Sequence, residues 1–247
     1  SKFGFTVSSG LAAAAVERAI ASDSVELVGL HAHIGSQVFE VGAFARAVEV
    51  LAGFAAPFGL AELSVGGGLG VPYVEGESAP SISEWAAGIR AVCEASGVTA
   101  SVSAEPGRAI VAAAAVTLYT VGTIKDLPGI RTYVAVDGGM SDNPRPVLYG
   151  SGYETFLPRA PAADRSRPVR VVGKHCESGD LLVREGWVPG DLMVGDVLAT
   201  PVTGAYGHAM GSNYNHVLRP AVVFVANGDA RMVVRRETFE DLVRREV

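Results

Sequence analysis

Between Val171 and Asp180 the sequence reads VVGKHCESGD, which places a histidine, a thiol, two carboxylates and a hydroxyl beside two glycines. Cys176 therefore lies in a turn rather than in a regular apolar strand, and chemistry, metal ligation and packing are all open to it. Ligation together with His175 is disfavoured: adjacent residues on an extended chain point apart, and no second ligand pair accompanies them. No metal is expected. Three further clusters, HIGSQ from His33, GGGLG from Gly66 and EPGR from Glu105, each follow an apolar run. Gly66, Gly67, Gly68 and Gly70 leave backbone N–H groups unshielded, which suits an anion such as phosphate, or equally a tight turn after a strand. The dinucleotide fingerprint GxGxxG does not fit, because its third glycine falls on Val71. His33 reads either as a satisfied core histidine or as an aromatic plate or proton carrier. Glu105 would be a costly charge inside a parallel sheet unless a cation faces it, and Arg108, three residues on, is a candidate partner.

The elements that position these clusters are legible in outline. Residues 10–21 are helical by composition, and 25–34 (VELVGLHAHI) read as a strand ending at Gly35. Phe44, Val48, Leu51 and Ala55 fall at helical spacing before Pro57 and Gly59 stop the helix. The short strand LAELSV then runs into the glycines. Ser81 and Glu84 form a capping-box pattern, and Ile82, Trp85, Ile89 and Cys93 line one face of the next helix, which makes Cys93 a core residue. The strand VTASVS ends in EPGR. Strands separated by helices argue for parallel βαβ units, whose active sites sit at the strand C-termini.

From about residue 110 the pattern changes to strand-like runs separated by turns: AAAAVTLYTVGTIK, RTYVAVDGG, PVRVVGKHC and VLRPAVVFVANGDARMVVRRE. Asn227-Gly228 marks a hairpin, and a last helix starts at Thr238 with Asp241 in its first turn. The expected class is α/β plus β, with an α/β part over 1–109 and a mainly β domain over 110–247. The 247 residues are 49% hydrophobic and 19% charged, with a net charge of −6 and scattered basic residues, so a small molecule is a better partner than nucleic acid. Two cysteines make no disulfide framework, no run reads as a membrane span, and the N-terminus lacks a signal-peptide layout. A cytoplasmic protein is expected.

Taken together and in order, GLHAHIGSQ, VGGGLGVPY, AEPGRAIV, AVDGGMSDNPRPVLY, VVGKHCESGD and VTGAYGHAMGSNYN resemble the diaminopimelate decarboxylase family. The resemblance implies a pyridoxal 5'-phosphate enzyme that converts meso-2,6-diaminopimelate to L-lysine and CO2. It implies a partial alanine-racemase-like (β/α) barrel, its last strands only, followed by a β domain, and a homodimer with shared active sites. By carry-over, His33 stacks on the pyridine ring and Glu105 faces its nitrogen, keeping it protonated. Ser36, Gly67, Gly68, Gly107 and the backbone at Arg108 hold the phosphate. Arg108, Arg145 and Tyr149 bind a substrate carboxylate, for which a bidentate guanidinium is well shaped. Tyr206 reaches cofactor phosphate or substrate. Cys176, from the neighbouring subunit, reprotonates the α-carbon, a task for which thiols titrate near enough to neutrality. Glu177 and Ser178 read the distal end of the substrate.

One departure stands out. The family's cofactor lysine belongs to a segment resembling YAxKAN, and Lys2, Lys125 and Lys174, the three lysines present, stand in no such context. The expectation is a C-terminal portion of a longer enzyme, inactive or nearly so alone. Two other readings stay open: an ornithine- or arginine-type decarboxylase, and a non-catalytic regulatory homologue.

Overall fold

In the computed structural model, which describes residues 2–247, helix-forming patterns and caps account for the first elements. α1 (Leu11–Ile20) is alanine-rich and buries Ala12 and Val16. α2 (Val41–Ala55) buries Phe44, Val48, Leu51 and Ala52, so Ala52 rather than Ala55 completes the inner face, four residues beyond Val48. A 3-10 turn (Ala56–Phe58) containing Pro57 ends it, and Gly59 takes a left-handed φ of 59°. Val41–Phe58 is long and apolar enough, by length and composition, to cross a membrane, contrary to the sequence reading. Its apolar side is nevertheless spent on a core with Trp85, Ile89 and Cys93, while Arg46 and Glu49 face outward. That is how a core helix is built.

α3 (Ile82–Ala95) starts on the expected capping box: the Ser81 hydroxyl accepts from the Glu84 N–H at 3.1 Å, and the Glu84 carboxylate accepts from the Ser81 N–H at 2.8 Å. Trp85, Ile89 and Cys93 are buried and Ile82, in the first turn, is exposed. Trp85 meets Phe44 edge-on at 5.6 Å, tying α3 to α2.

Between these helices run β1 (Gly29–His31), β2 (Glu62–Ser64) and β3 (Ser101–Ser103), a parallel sheet in the order β1-β2-β3. The rungs are Gly29–Glu62–Ser101, Leu30–Leu63–Val102 and His31–Ser64–Ser103. β1 is far shorter than the apolar run 25–34, because β2 offers only three rungs to pair with. Strand, helix, strand, helix, strand is a partial (β/α) barrel.

α4 (Gly107–Val111) continues into a 3-10 turn (Ala112–Ala114), so the alanine run taken for the start of a strand is helical, as its propensity favours. β4 (Val116–Leu127) and β5 (Arg131–Val136) follow. α5 (Arg145–Tyr149) has Pro146 near its start and is closed by Gly150 at a φ of 65°. β6 (Arg167–Val172), β7 (Leu181–Val188) and β8 (Val197–Pro201) complete a five-stranded sheet, order β7-β6-β5-β4-β8. Only β5 and β6 are parallel within it. Its interior is made by Val121, Val134, Val171, Val183, Val188 and Leu198, all essentially inaccessible. α5, β7 and β8 were not anticipated. β9 (Val222–Ala226) and β10 (Asp229–Val234) form the expected hairpin, with Asn227 and Gly228 at φ values of 54° and 84°, which a type I′ turn requires. α6 (Phe239–Val243) is capped by Thr238 with Asp241.

The backbone groups into two units. One takes in residues up to Val71 and Ser78–Ala109; the other consists of Pro72–Glu77 and Ile110–Val247.

Candidate active site

In the first unit the register of the sheet does the positioning. The last rung is His31–Ser64–Ser103, and two residues beyond it on each strand stand His33, Gly66 and Glu105. The three motifs therefore emerge side by side at the carboxyl edge. Glycine is required for the loops to approach so closely. A Cβ on Gly67 would lie 2.0 Å from the Glu105 carbonyl oxygen, and one on Gly68, whose φ is 102°, 2.0 Å from that of Gly35. Gln37 locks the arrangement: its side-chain amide donates to the Val71 carbonyl at 2.8 Å and accepts from the Val71 N–H at 3.2 Å.

The Gly67 N–H donates to His33 Nδ1 at 3.2 Å, so Nδ1 is the accepting nitrogen and the ring N–H stands on Nε2. His33 is exposed, which rules out the core-histidine reading. Arg108, nearly buried, donates to Ser36 Oγ at 2.7 Å, joining the first loop to the third. Gly107 beside it has open space where a Cβ would stand. Glu105 differs from the sequence picture: its side chain is 62% exposed, so it suffers little desolvation, and its carboxylate lies 3.4 Å from His31 Nδ1. His31 also meets Ser64 Oγ at 2.8 Å and runs parallel to the His33 ring at 6.5 Å. Sequence reasoning missed His31 and Gln37. The HxHIGSQ spacing held the signal for His31, since alternate strand residues share a face.

In the second unit the parallel pair β5 and β6 sends two loops from one edge, and Asp180 clasps them. Its buried carboxylate accepts from the Met140 N–H at 2.6 Å and the His175 N–H at 2.9 Å. Gly139 and Gly173 make the room, since a Cβ on either would stand 2.8 Å and 2.2 Å from Asp180 Oδ2. Lys174 N–H donates to the Gly138 carbonyl at 3.0 Å, and His175, buried, lies 2.9 Å from Ser141 Oγ through Nε2. Asp142 caps the first loop by accepting from the Gly139 N–H, and burial pushes its carboxyl above the usual range. With His175 turned inward, its neighbour Cys176 is turned out to solvent with Glu177 and Ser178. His175 and Cys176 thus point apart, as expected. Glu177 and Ser178 border a cleft of about 390 Å³ walled by Tyr133, Arg170 and Val172.

Arg145 is buried, with its guanidinium carbon 4.3 Å above the Tyr73 ring and NH1 donating to Tyr153 Oη at 2.8 Å. Burial pushes the Tyr153 phenol up. Tyr149, four residues along α5, is exposed. Tyr206 is partly exposed at a φ of 62°, and Val202, a β-branched residue, sits at a φ of 61°. Such conformations cost about 1–3 kcal/mol each and persist where surroundings over-determine them. Here Thr203 and Gly204 donate to the carbonyls of Ala115 and Ala112, and a Cβ on Gly204 would stand 1.9 Å from the Val111 oxygen.

Residues 1–112 match the family model for the pyridoxal-dependent decarboxylase, pyridoxal binding domain. The sheet edge of histidine, glycine turn and carboxylate lies within this matched stretch. Over its whole length the chain is similar to diaminopimelate decarboxylases. The diaminopimelate decarboxylase of Actinosynnema pretiosum is 50% identical over 100% of this chain and that of Mycobacterium tuberculosis 46% over 100%. The diaminopimelate decarboxylase of M. jannaschii, solved in complex with L-lysine, superposes with a TM-score of 0.92 at 31% identity over 100% of the chain. The chain spans 57%, 59% and 58% of the length of these three proteins.

Proposed function

We propose that this chain carries the cofactor-holding edge and the proton-donating loop of a decarboxylase that converts meso-2,6-diaminopimelate to L-lysine and CO2. The alignment of His33, the glycine turn and Glu105 on one sheet edge carries the reading. The residues present fit pyridoxal 5'-phosphate. The histidine plate is exposed and held at one tautomer, the glycine turn is clear of Cβ atoms, and a hydroxyl and a guanidinium stand together at Ser36 and Arg108. When bound, this cofactor supplies the electron sink for the pair left behind as CO2 departs. Ser36, Gly67, Gly68, Gly107 and Arg108 would hold its phosphate and His33 would stand against its ring. Glu105 would keep a proton on its pyridine nitrogen.

Arg108, Arg145 and Tyr149 orient the substrate carboxylate, Arg145 through the guanidinium donors not given to Tyr153. Tyr206 closes on phosphate or substrate. Cys176 delivers a proton to the α-carbon, and its exposure on a braced loop supports that role. Glu177 pairs with the distal ammonium and Ser178 hydrogen-bonds beside it. The protein works in the cytoplasm as a homodimer, the Cys176 loop of one copy completing the site of the other.

The test uses the full-length gene product supplied with pyridoxal phosphate, measuring CO2 release from meso-diaminopimelate, L-ornithine and L-arginine. Diaminopimelate should be the preferred substrate, and C176A should lower turnover by about 10²–10⁴-fold, the usual worth of a positioned acid. Mixed H33A and C176A proteins should regain turnover that neither shows alone. Preference for ornithine or arginine would overturn the substrate assignment, and an active C176A the role of the thiol.

A further inference from the structure

Tyr214 is used by nothing described so far, yet it touches the residues on both sides of Cys176. Its phenol donates to the Glu177 carboxylate through Oε1, and its ring lies 5.3 Å from the His175 ring at a tilt of 32°. The turn that presents it is fastened at several points. Ser212 N–H donates to the Ser141 carbonyl at 3.0 Å, Ser212 Oγ accepts from the Tyr214 N–H, and the Asn213 amide donates to Val217 O and to the Glu237 carboxylate. Asn215 and His216 follow at left-handed φ values of 51° and 57°. Two consecutive side-chain-bearing residues in that region mark a turn whose shape is imposed by its surroundings.

From this geometry we infer that Tyr214 is a positioning residue that fixes Glu177 in one rotamer and thereby sets recognition of the distal ammonium of the substrate. The inference rests on the reading of Glu177 given under the proposed function. A carboxylate offers two oxygens. With Oε1 accepting from the phenol, Oε2 is presented in a fixed direction, so ordering of a flexible side chain precedes binding rather than accompanying it. The ring against His175 holds the same loop from its other flank. The hydrogen bond to the Glu177 carboxylate, then desolvation and the carboxylate's charge, push the Tyr214 phenol above its ordinary value near 10.

Two measurements test it. In the 247-residue chain labelled with 13Cζ-tyrosine, Y214F assigns the Tyr214 resonance. That resonance should titrate above its ordinary range in wild type and return toward it in E177Q. An unmoved midpoint would overturn the contact. In the full-length gene product, Y214F should raise KM for meso-diaminopimelate about tenfold or more, the scale of a hydrogen bond to a charged group, with kcat within about twofold. An unchanged KM, or a loss in kcat alone, would overturn the recognition role. Absence of diaminopimelate turnover in wild type would remove the substrate reading and this role with it, and the titration would still decide whether Tyr214 holds Glu177.

Discussion

Replacing Asp180 by alanine is the most informative perturbation of the second unit. The side chain is 2% exposed and accepts two backbone N–H groups, Met140 at 2.6 Å and His175 at 2.9 Å. Hydrogen bonds to charged groups contribute about 1.5–3 kcal/mol each, and their loss here strands two backbone donors where no other partner is at hand. The expected cost is about 4 kcal/mol. At a urea slope of about 2 kcal/mol per M, the unfolding midpoint should fall by about 2 M. D180N keeps one acceptor oxygen and turns an amide N–H₂ toward the second donor, so it should lose roughly half as much. The assay is tryptophan fluorescence during urea unfolding in a W85F background, where Trp187 on β7 is the reporter in the same unit as Asp180. A midpoint within about 0.3 M of the parent for D180A would refute the reasoning, because a carboxylate that braces neither loop costs nothing to remove.

The thiols give a second check. Iodoacetamide at pH 8 should label Cys176 and spare Cys93, which is buried and whose thiol burial pushes up; peptide mass analysis reads the sites. Ser81→Ala should destabilise the first unit by about 1 kcal/mol, the usual worth of an N-cap. The Ser81 bonds hold the Glu84 carboxyl below its usual range. The capping contribution is therefore present above the unfolded value of about 4.3 and lost as pH falls through the lower folded value, so the stability gap between wild type and S81A should narrow there. Gly67→Ala should abolish binding of 4'-deoxypyridoxine phosphate, followed by ligand fluorescence, because its Cβ would stand 2.0 Å from the Glu105 carbonyl and force the first unit's loops apart.

How far a sequence reveals such a fold depends on whether the signal is local. The cap at Ser81 and the hairpin at Asn227-Gly228 depend on neighbours within four residues and both appear as read, as does the buried stripe of α3 from Trp85 onward, Ile82 in its first turn being exposed. β1 does not: its apolar run spans ten residues, but its length is set by the rungs available on β2, some thirty residues away. The alanines at 112–114 fail for the opposite reason, being helix formers judged by the β-rich stretch that follows them. β7 and β8 each begin directly out of a polar turn; Arg184, Glu185 and Gly186 interrupt the alternation of β7, and the short β8, ending in Pro201, buries three consecutive residues rather than alternate ones.

At the site, residue types were legible and their surroundings were not. A strand-end histidine, a glycine turn and a carboxylate could be picked out from chemistry and order, but the two-residue offset that aligns His33, Gly66 and Glu105 exists only once the sheet register is set. Desolvation was misjudged for the same reason. Glu105 was read as a charge inside a parallel sheet, yet it projects from the sheet edge, where solvent and His31 meet it. Asp180 is the converse case. In the sequence it is one more acidic residue in a turn, and only the parallel pairing of β5 with β6 brings the Met140 N–H within its reach. A polar side chain that positions a reactive neighbour thus carries little mark in its own segment, because one of its two donors, the Met140 N–H, comes from a loop forty residues away, and the physical signature to seek is a buried acceptor whose donors come from two loops.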